Sequence, residues 1–428
     1  MVKVSLVGDI FISRPFPEKG YGFLDDITHL LNDHDVRFAN LETTVHRREG
    51  YPSAYPGGTW SMADPLCLDS IKRLGINVVN TANNHALDYS QNGLLATQRY
   101  LARSKIPYMG TGKNLSDAAA PVFIECSGAR VALIGATSSF HDSDAAGYQR
   151  CNMKGRPGVN PLRHKSICQI TEEDYRHLLK IAKETGINDY HDQAIKEGYL
   201  LPNKNFQFAG TEFVIGEENT LKTFPLDSDM LRIENSIKEA KKQADYVIVS
   251  IHNHQFSRGQ KKYPAEFIRK FSRNCIEAGA IIVVGHGPHV LRGIEAYEKG
   301  IIFYGLGNFI FQNESIAYLP EDFYQKYSIE PTAGTGTALS RRNRNGEIGL
   351  KKEEESWQSV IASVTIDDER VAIKLYPVEI GNDDPHYSRG IPKLINDSVI
   401  LRNLDELSKE YGTAIDIKDG VGSLELMH

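Results

Sequence analysis

An α/β fold is what this chain supports, on three observations. Short apolar, β-branched runs recur along its 428 residues. Patterns of helical period fall between them. Residues of metal-binding type stand at the ends of the runs rather than inside them. Near-continuous apolar runs alternating with helices imply a sheet covered on both faces, because each face must then be apolar.

The runs expected as strands are VKVSLVG (2–8), DVRFANLE (35–42), INVVNTANN (76–84), RVALIGAT (130–137), DYVIVSIHNH (245–254) and AIIVVGHG (280–287). Helices are expected near 22–32, 64–74, 90–104, 231–243 and 264–278. Asp64-Pro65 reads as a capping residue followed by proline at the first helical position, and Ser90 as the cap of the next helix. GIIFYGLGNFIF (300–311), SVIASVTI (359–366) and RVAIKLYPV (370–378) alternate like antiparallel neighbours, so a second sheet is expected there. Residues 141–225 are polar and broken by Gly and Pro, with helices at 171–185 and 188–198, and read as a cap-like insertion between core strands. The stretch 313–357 contains SRRNRNGEIGLKKEEESW and reads as a charged, mobile surface loop. Residues 1–380 thus form one expected domain with two additions. Residues 381–428 are a helical extension packed on the core, with Leu401, Leu404 and Leu407 at helical spacing.

Apolar residues make up 41% and charged residues 24%, ordinary for a chain with a large core. The net charge of −6 argues against binding a nucleic-acid backbone, which needs clustered positive charge. The five cysteines are scattered and none forms C-x-x-C, which points to a reducing compartment. The opening VKVSLVGDIF lacks the pattern of a signal peptide, and no run of about 18 apolar residues offers a membrane span. A cytoplasmic location is therefore expected.

The position of the polar residues is the informative signal. Asp9 follows the first run, Asn40 and Glu42 the second, and Asn83, Asn84 and His85 the third. His252 and His254 end the fifth, and His286 and His289 follow the sixth. In open α/β sheets, ligands gather at the carboxyl ends of strands. Burying these groups without partners would cost several kcal/mol in order of magnitude, roughly what a divalent cation relieves. Mixed oxygen and nitrogen donors without thiolates suit one or two ions of Mn, Zn or Fe, ahead of Mg and Ca. Glu42 is placed to bridge two such ions. His252 and His254 are two apart and share a strand face. In GHGPH, Gly285 and Gly287 are expected to let the backbone turn and Pro288 to fix the turn. His46, His141 and His164 fall outside these ends and read as surface or cap histidines. GTGK (110–113) lacks the upstream glycine of a phosphate loop, no G-x-S-x-G appears, and no G-x-G-x-x-G follows the first strand.

The motifs VGDIFISR, ANLETTV, TANNHALDYS, MKGRPGVNPLR, VSIHNHQF, VGHGPHVLRGIE and YGLGNFIFQ run in that order from residue 4 to about 312. Together they resemble those of the CapA family, named for capsule and poly-γ-glutamate synthesis. That family is similar to calcineurin-like metallophosphoesterases. The resemblance implies a four-layer α/β/β/α sandwich of metallophosphoesterase type around a metal site. It implies Asp9 on a first metal, Glu42 as the bridge, Asn84 and His252 on a second, and His286 and His289 completing the shells. It makes His85 the proton donor, with Asp88 orienting it. The first motif reads Asp9-Ile10-Phe11 where the superfamily has D-x-H, and the last reads G-H-G-P-H where it has G-H-x-H.

Arg14, Arg156, Arg163 and Arg292 each lie inside a motif, where a guanidinium can clamp a carboxylate or phosphate. MKGRPGVNPLR lies in the expected cap, which makes Arg156, Asn160 and Arg163 the foremost substrate candidates. Three function classes follow. The first is a metal-dependent hydrolase using activated water on a peptide, a poly-γ-glutamate-like chain or another small anionic substrate. The second is a metal-assisted epimerase using paired bases, with His85 and His254 available. The third is a metal-stabilised binding module without catalysis.

Overall fold

The computed structural model describes residues 1–367 and 369–427. It is a mixed α/β fold with two large sheets among the described residues. In the first sheet, Val2–Phe11 lies between Val36–Leu41, parallel to it, and Gln358–Ile366, antiparallel to it. Val78–Asn80 and Tyr108–Met109 extend one side; Arg370–Glu379 and Val421–Met427 extend the other. The second sheet sets Arg130–Thr137, Tyr246–His252, Ile282–His286 and Gly300–Leu306 parallel. Val122–Glu125 and Leu291–Tyr297 are its antiparallel edges.

Side-chain alternation explains the unbroken apolar runs. Val4, Leu6 and Phe38 of the first sheet share one buried cluster with Leu133, Ile248, Val284 and Phe303 of the second. Val7 and Ile10 face the other way, onto Ile27, Leu31, Leu68 and Ile71 of the helices Asp25–Asn32 and Cys67–Arg73. Ile134, Val249 and Val283 pack against Ile233, Ile237, Phe267 and Phe271 of Asp227–Lys241 and Glu266–Glu277. Each such buried side chain contributes about 1.5–3 kcal/mol.

Two local expectations change. Asp64 does accept the Leu66 amide (2.9 Å), but regular helix begins only at Cys67. Ser90 caps nothing: it is the first residue of Ser90–Arg103, has φ 57°, and its hydroxyl donates to the Tyr51 carbonyl. The late strands do not make a sheet of their own. GIIFYGLGNFIF splits at Gly307, with Gly300–Leu306 in the second sheet and Asn308–Phe311 beside Val2–Phe11 in the first.

Within 141–225, strands His164–Ile170, Phe206–Phe208, Thr211–Ile215 and Thr220–Pro225 form a small sheet with helices Glu172–Thr185 and Asp189–Lys196. The stretch 313–357, expected as a loop, carries the helices Glu321–Lys326 and Thr335–Arg342, because Phe323, Tyr324, Ala338 and Leu339 are buried against the first sheet's helical side. The last residues form the helix Ser398–Lys409, capped by Asp397, and then the strand Val421–Met427. Ile400, Leu401 and Leu404 enter the cluster between the sheets, while Leu407 is only half-buried. All five cysteines are free thiols. No helix among the described residues is long and apolar enough to cross a membrane.

Candidate metal centre and cavity

Strand register brings the polar ends together. Within the first sheet Asp9 lies level with Asn40 and with Asn308, and Asn40 with Asn80. Within the second, His252 lies level with Thr137 and His286. The two sheets meet here: His286 Nδ1 is 3.4 Å from Asp9 Oδ1, and His252 Nε2 is 3.6 Å from Glu42 Oε1. His254 Nε2 and His289 Nε2 approach the same Glu42 oxygen, at 3.9 and 3.8 Å. His254 lies beyond the end of its strand, yet it points to the same carboxylate as His252.

Two sets of donor atoms are close enough to hold a metal ion: Glu42, His252 and His254, and Asp9, Glu42 and His289. Both Glu42 oxygens, His252 Nε2, His254 Nε2, both His286 ring nitrogens and Asn84 Oδ1 are buried without a hydrogen-bond partner. Buried polar atoms are normally paired, so this concentration of unpaired ones fits a divalent cation. Burial, with Asp9 and Asp88 nearby, pushes Glu42 well above the carboxylate range. Burial opposes ionisation of Asp9 as well, but its contact with His286 and the neighbouring imidazoles hold it below its ordinary value. Burial and the adjacent His254 push His252 well below the usual imidazole range, and burial with His289 pulls His254 down to about 3. Such imidazoles are neutral, with lone pairs available to a metal.

Neighbouring side chains orient the donors. Asp9 accepts from Asn40 Nδ2 (2.8 Å) and from the Gly287 amide (3.0 Å). Asn80 Nδ2 donates to Asn40 Oδ1 (3.0 Å) and so fixes that amide. His289 Nδ1 donates to Asn308 Oδ1 (2.8 Å), and Asn308 Nδ2 donates to the Ser356 carbonyl, which leaves His289 Nε2 as the free acceptor. Asn83 is used structurally: its amide donates to the Leu41 carbonyl and its oxygen accepts from the His85 amide. Asn84 Nδ2 donates to the Gly57 carbonyl.

GHGPH works differently from its expected form. Gly287 does turn, with φ 105°, and a Cβ there would sit 2.9 Å from His252 Nε2. Gly285 does not turn. It is inside Ile282–His286, and a Cβ there would lie 2.3 Å from the Tyr304 carbonyl, so it permits close strand packing. His289 takes a left-handed conformation, φ 60°, and this delivers its ring to the Asp9–Glu42 group. Phe11, where D-x-H would put an imidazole, instead packs edge-on against His85, with ring centroids 5.3 Å apart.

His85 Nδ1 lies 2.7 Å from Asp88 Oδ2. Asp88 is fully buried and also accepts the Gly57 and Ser61 amides, at 2.8 and 2.7 Å. The carboxylate therefore holds the Nδ1–H, which leaves Nε2 as the nitrogen not engaged by Asp88. His85, His254, His289, Asn84 and Phe11 line a cavity of about 800 Å³. Its outer wall carries Arg14, Lys326, Arg342, Lys351 and Arg389 against a single acid, Glu314.

The candidate arginines separate. Arg14 lines the cavity and donates to the carbonyls of His386 and Tyr387. Arg156, Asn160, Arg163 and Arg292 are not on its wall. Arg156 Nε donates to the Ala145 carbonyl, Asn160 donates to the Gly135 carbonyl, and Arg163 pairs with buried Asp229. Arg292 is fully buried; it donates to the Lys261 carbonyl (2.7 Å), Asn253 Oδ1 (2.5 Å) and the Gln255 carbonyl (3.0 Å), bracing the loop that carries His254. Burial pulls its guanidinium down to about 9, with Tyr411 opposing. His46 is not a surface residue but lies in the core against Tyr89, where burial pulls it down to about 4 and Glu49 opposes. Sequence reasoning gave Asn308 no role and missed the cations of residues 313–357. The asparagine after YGLG, another polar residue at a run's end, was the available signal.

Fold and site define an α/β protein with a candidate metal centre opening on a cationic cavity. The chain belongs to the family described as bacterial capsule synthesis protein PGA_cap, whose model matches residues 3–313. Proteins y4sH and y4uA of Sinorhizobium fredii are each 31% identical over 98% of this chain and 92% of their own length. The PGA biosynthesis protein CapA of Bacillus subtilis is 26% identical over 73% of this chain and 63% of its own. The capsule biosynthesis protein CapA of Bacillus anthracis is 24% identical over 72% of this chain and 59% of its own.

Proposed function

We propose that this chain is a metal-dependent enzyme that hydrolyses a peptide or poly-γ-glutamate-like substrate. The observation that carries this is the convergence of unpaired buried donors on Glu42, beside a His85–Asp88 pair that opens on the same cavity. The names of the CapA relatives support the substrate class. The three stacked apolar clusters favour a four-layer α/β/β/α sandwich. Glu42, His252 and His254 would hold one ion, and Asp9, Glu42 and His289 another, with His286 and Asn84 at their margins. A divalent cation of the Mn, Zn or Fe kind would supply Lewis acidity and charge neutralisation there. Water adds to the scissile carbonyl carbon as the C–N bond breaks, and His85, oriented by Asp88 and protonated on both ring nitrogens, gives its Nε2 proton to the leaving nitrogen, so that a carboxylic acid and an amine result. Arg14 is the sequence-predicted arginine that reaches the substrate space.

The test combines metal analysis of the purified protein with incubation on γ-linked oligoglutamate. New chain ends should appear, vanish in chelator and return with Mn or Zn. Undiminished cleavage in chelator refutes the reading. A second reading, epimerisation, is favoured by one observation: His85 and His254 both line the cavity, so two imidazoles face one ligand. Deuterated water separates the two, since epimerisation leaves deuterium at Cα without a new chain end.

A further inference from the structure

We propose that Arg342 is a specificity-determining residue that reads an oxyanion, carboxylate or phosphate, carried by the substrate away from the reacting bond. This rests on the reading of the cavity as the substrate site. Arg342 ends the helix Thr335–Arg342, which lies beyond the 3–313 span of the family match. Ala338 and Leu339 of that helix are buried in the core, so the helix is anchored rather than loose. The Arg342 side chain is half-buried and lines the cavity. Its Nη1 donates to Thr59 Oγ1 and its Nε to Asn343 Oδ1 (3.0 Å).

Both partners are neutral, and among the described residues no carboxylate lies within ion-pair distance of Arg342. Lys326 on the same wall also has no ion pair among the described residues and lies over the Tyr327 ring, but three other neighbours differ. Lys351 and Arg389 share Glu314, at 3.7 and 2.9 Å, and Arg14 is held by two carbonyls. Glu314 acts on Arg342 only at longer range, so burial still penalises the guanidinium, and an incoming oxyanion on its planar fork relieves that cost. Thr59 ties Arg342 to the loop that serves the catalytic pair: the Gly57 amide donates to Asp88 and the Gly57 carbonyl accepts from Asn84. An acid group held by Arg342 is thus registered against His85 through three residues of chain. Leu350 and Trp357 on the same wall offer apolar surface to an aliphatic stem bearing that acid.

Calorimetric titration of the full chain, metal-loaded and chelator-treated, tests this with γ-linked triglutamate, the same chain with every free carboxylate converted to a carboxamide, and inorganic phosphate. The proteins are wild type, Arg342→Gln, Arg342→Lys and the exposed control Arg341→Gln. We expect Arg342→Gln to weaken triglutamate binding about tenfold or more, as loss of a charge-assisted pair does. The amidated chain should bind wild type and Arg342→Gln equally, and Arg341→Gln should match wild type. Should Arg342→Gln not fold, Arg342→Lys carries the test: it keeps the charge, loses the fork and should weaken triglutamate severalfold. Dependence on Arg342 for phosphate alone would identify the oxyanion as phosphate and uphold the inference. Equal triglutamate and phosphate binding by wild type and the Arg342 variants, or no binding of either probe to wild type, would overturn it. The metal reading fails separately: a chain without bound metal can still show the Arg342 dependence, and a metal-loaded chain can lack it.

Discussion

The inner and outer walls of the cavity obey opposite rules. The inner wall is made by the ends of strands from two sheets, and several of its buried polar atoms, both Glu42 oxygens among them, lack partners. The outer wall is made by short helices and turns, and Arg14, Lys351 and Arg389 on it are held by carbonyls or Glu314. The difference is instructive. Donors fixed by sheet register suit the cation proposed above, whereas the charges at helix ends suit the selection proposed for Arg342. The family match ends at residue 313, near the boundary between the two walls.

The largest effect should come from breaking the inner wall at its shared carboxylate. Glu42→Ala is expected to reduce bound metal to trace in elemental analysis and turnover to background. Retained metal would mean that the donors around Glu42 do not act as one site.

Next comes the His85–Asp88 pair. His85→Ala should lower kcat by roughly 10²–10⁴ with metal content unchanged. Asp88→Asn should lower it by a smaller factor, because the imidazole loses only the partner that fixes its tautomer. A parallel loss of metal in His85→Ala would move that residue from proton transfer to ligation.

The outer wall should answer to salt. Raising ionic strength from about 0.05 to 0.3 M should weaken binding of γ-linked triglutamate severalfold, since exposed charges are screened within a Debye length. Metal content over the same range should stay constant. Equal sensitivity of both would erase the distinction between the walls.

The smallest effect concerns acid. The imidazoles of His46, His252 and His254 are held low by burial. Their unfolded forms take up protons below about pH 6.5, so the metal-free fold is stable above that range and loses stability as pH falls through it. For His46, at about 4 in the fold, the loss continues to that pH. His46→Gln should shrink the stability change between pH 7 and 5 by about 1–2 kcal/mol in denaturant titration. An unchanged acid limb would show that His46 does not contribute to it.

Parts of this design are readable from order alone. Buried parallel strands must be apolar on both faces, so the runs at 2–8, 130–137 and 245–254 stand out, and polar residues ending such runs declare themselves. Asn308 was harder to read because the chain changes sheets beside it, at Gly307, so one apolar run conceals two strands. Arg292 looked like a binding residue because it follows a histidine motif, yet Leu291–Tyr297 is an edge strand covered by the helix Ser398–Lys409 and by residues 255–261. The outer wall was hidden by composition: charges outnumber apolar residues in 340–357, and only contact with the core makes its neighbourhood a wall.

Sequence by itself determined the α/β class, the family and the types of donor at the strand ends, because period, order and chemistry are local properties. Tertiary structure alone decided which donors share one carboxylate, that His289 reaches them through a left-handed turn, and that Arg342 faces the cavity with only neutral hydrogen-bond partners. Those outcomes depend on the meeting of two sheets and on a helix docked more than 250 residues from the Thr59 it touches, a separation of 283. Pairings at that distance are set by packing, because no local propensity couples residues so far apart in the chain.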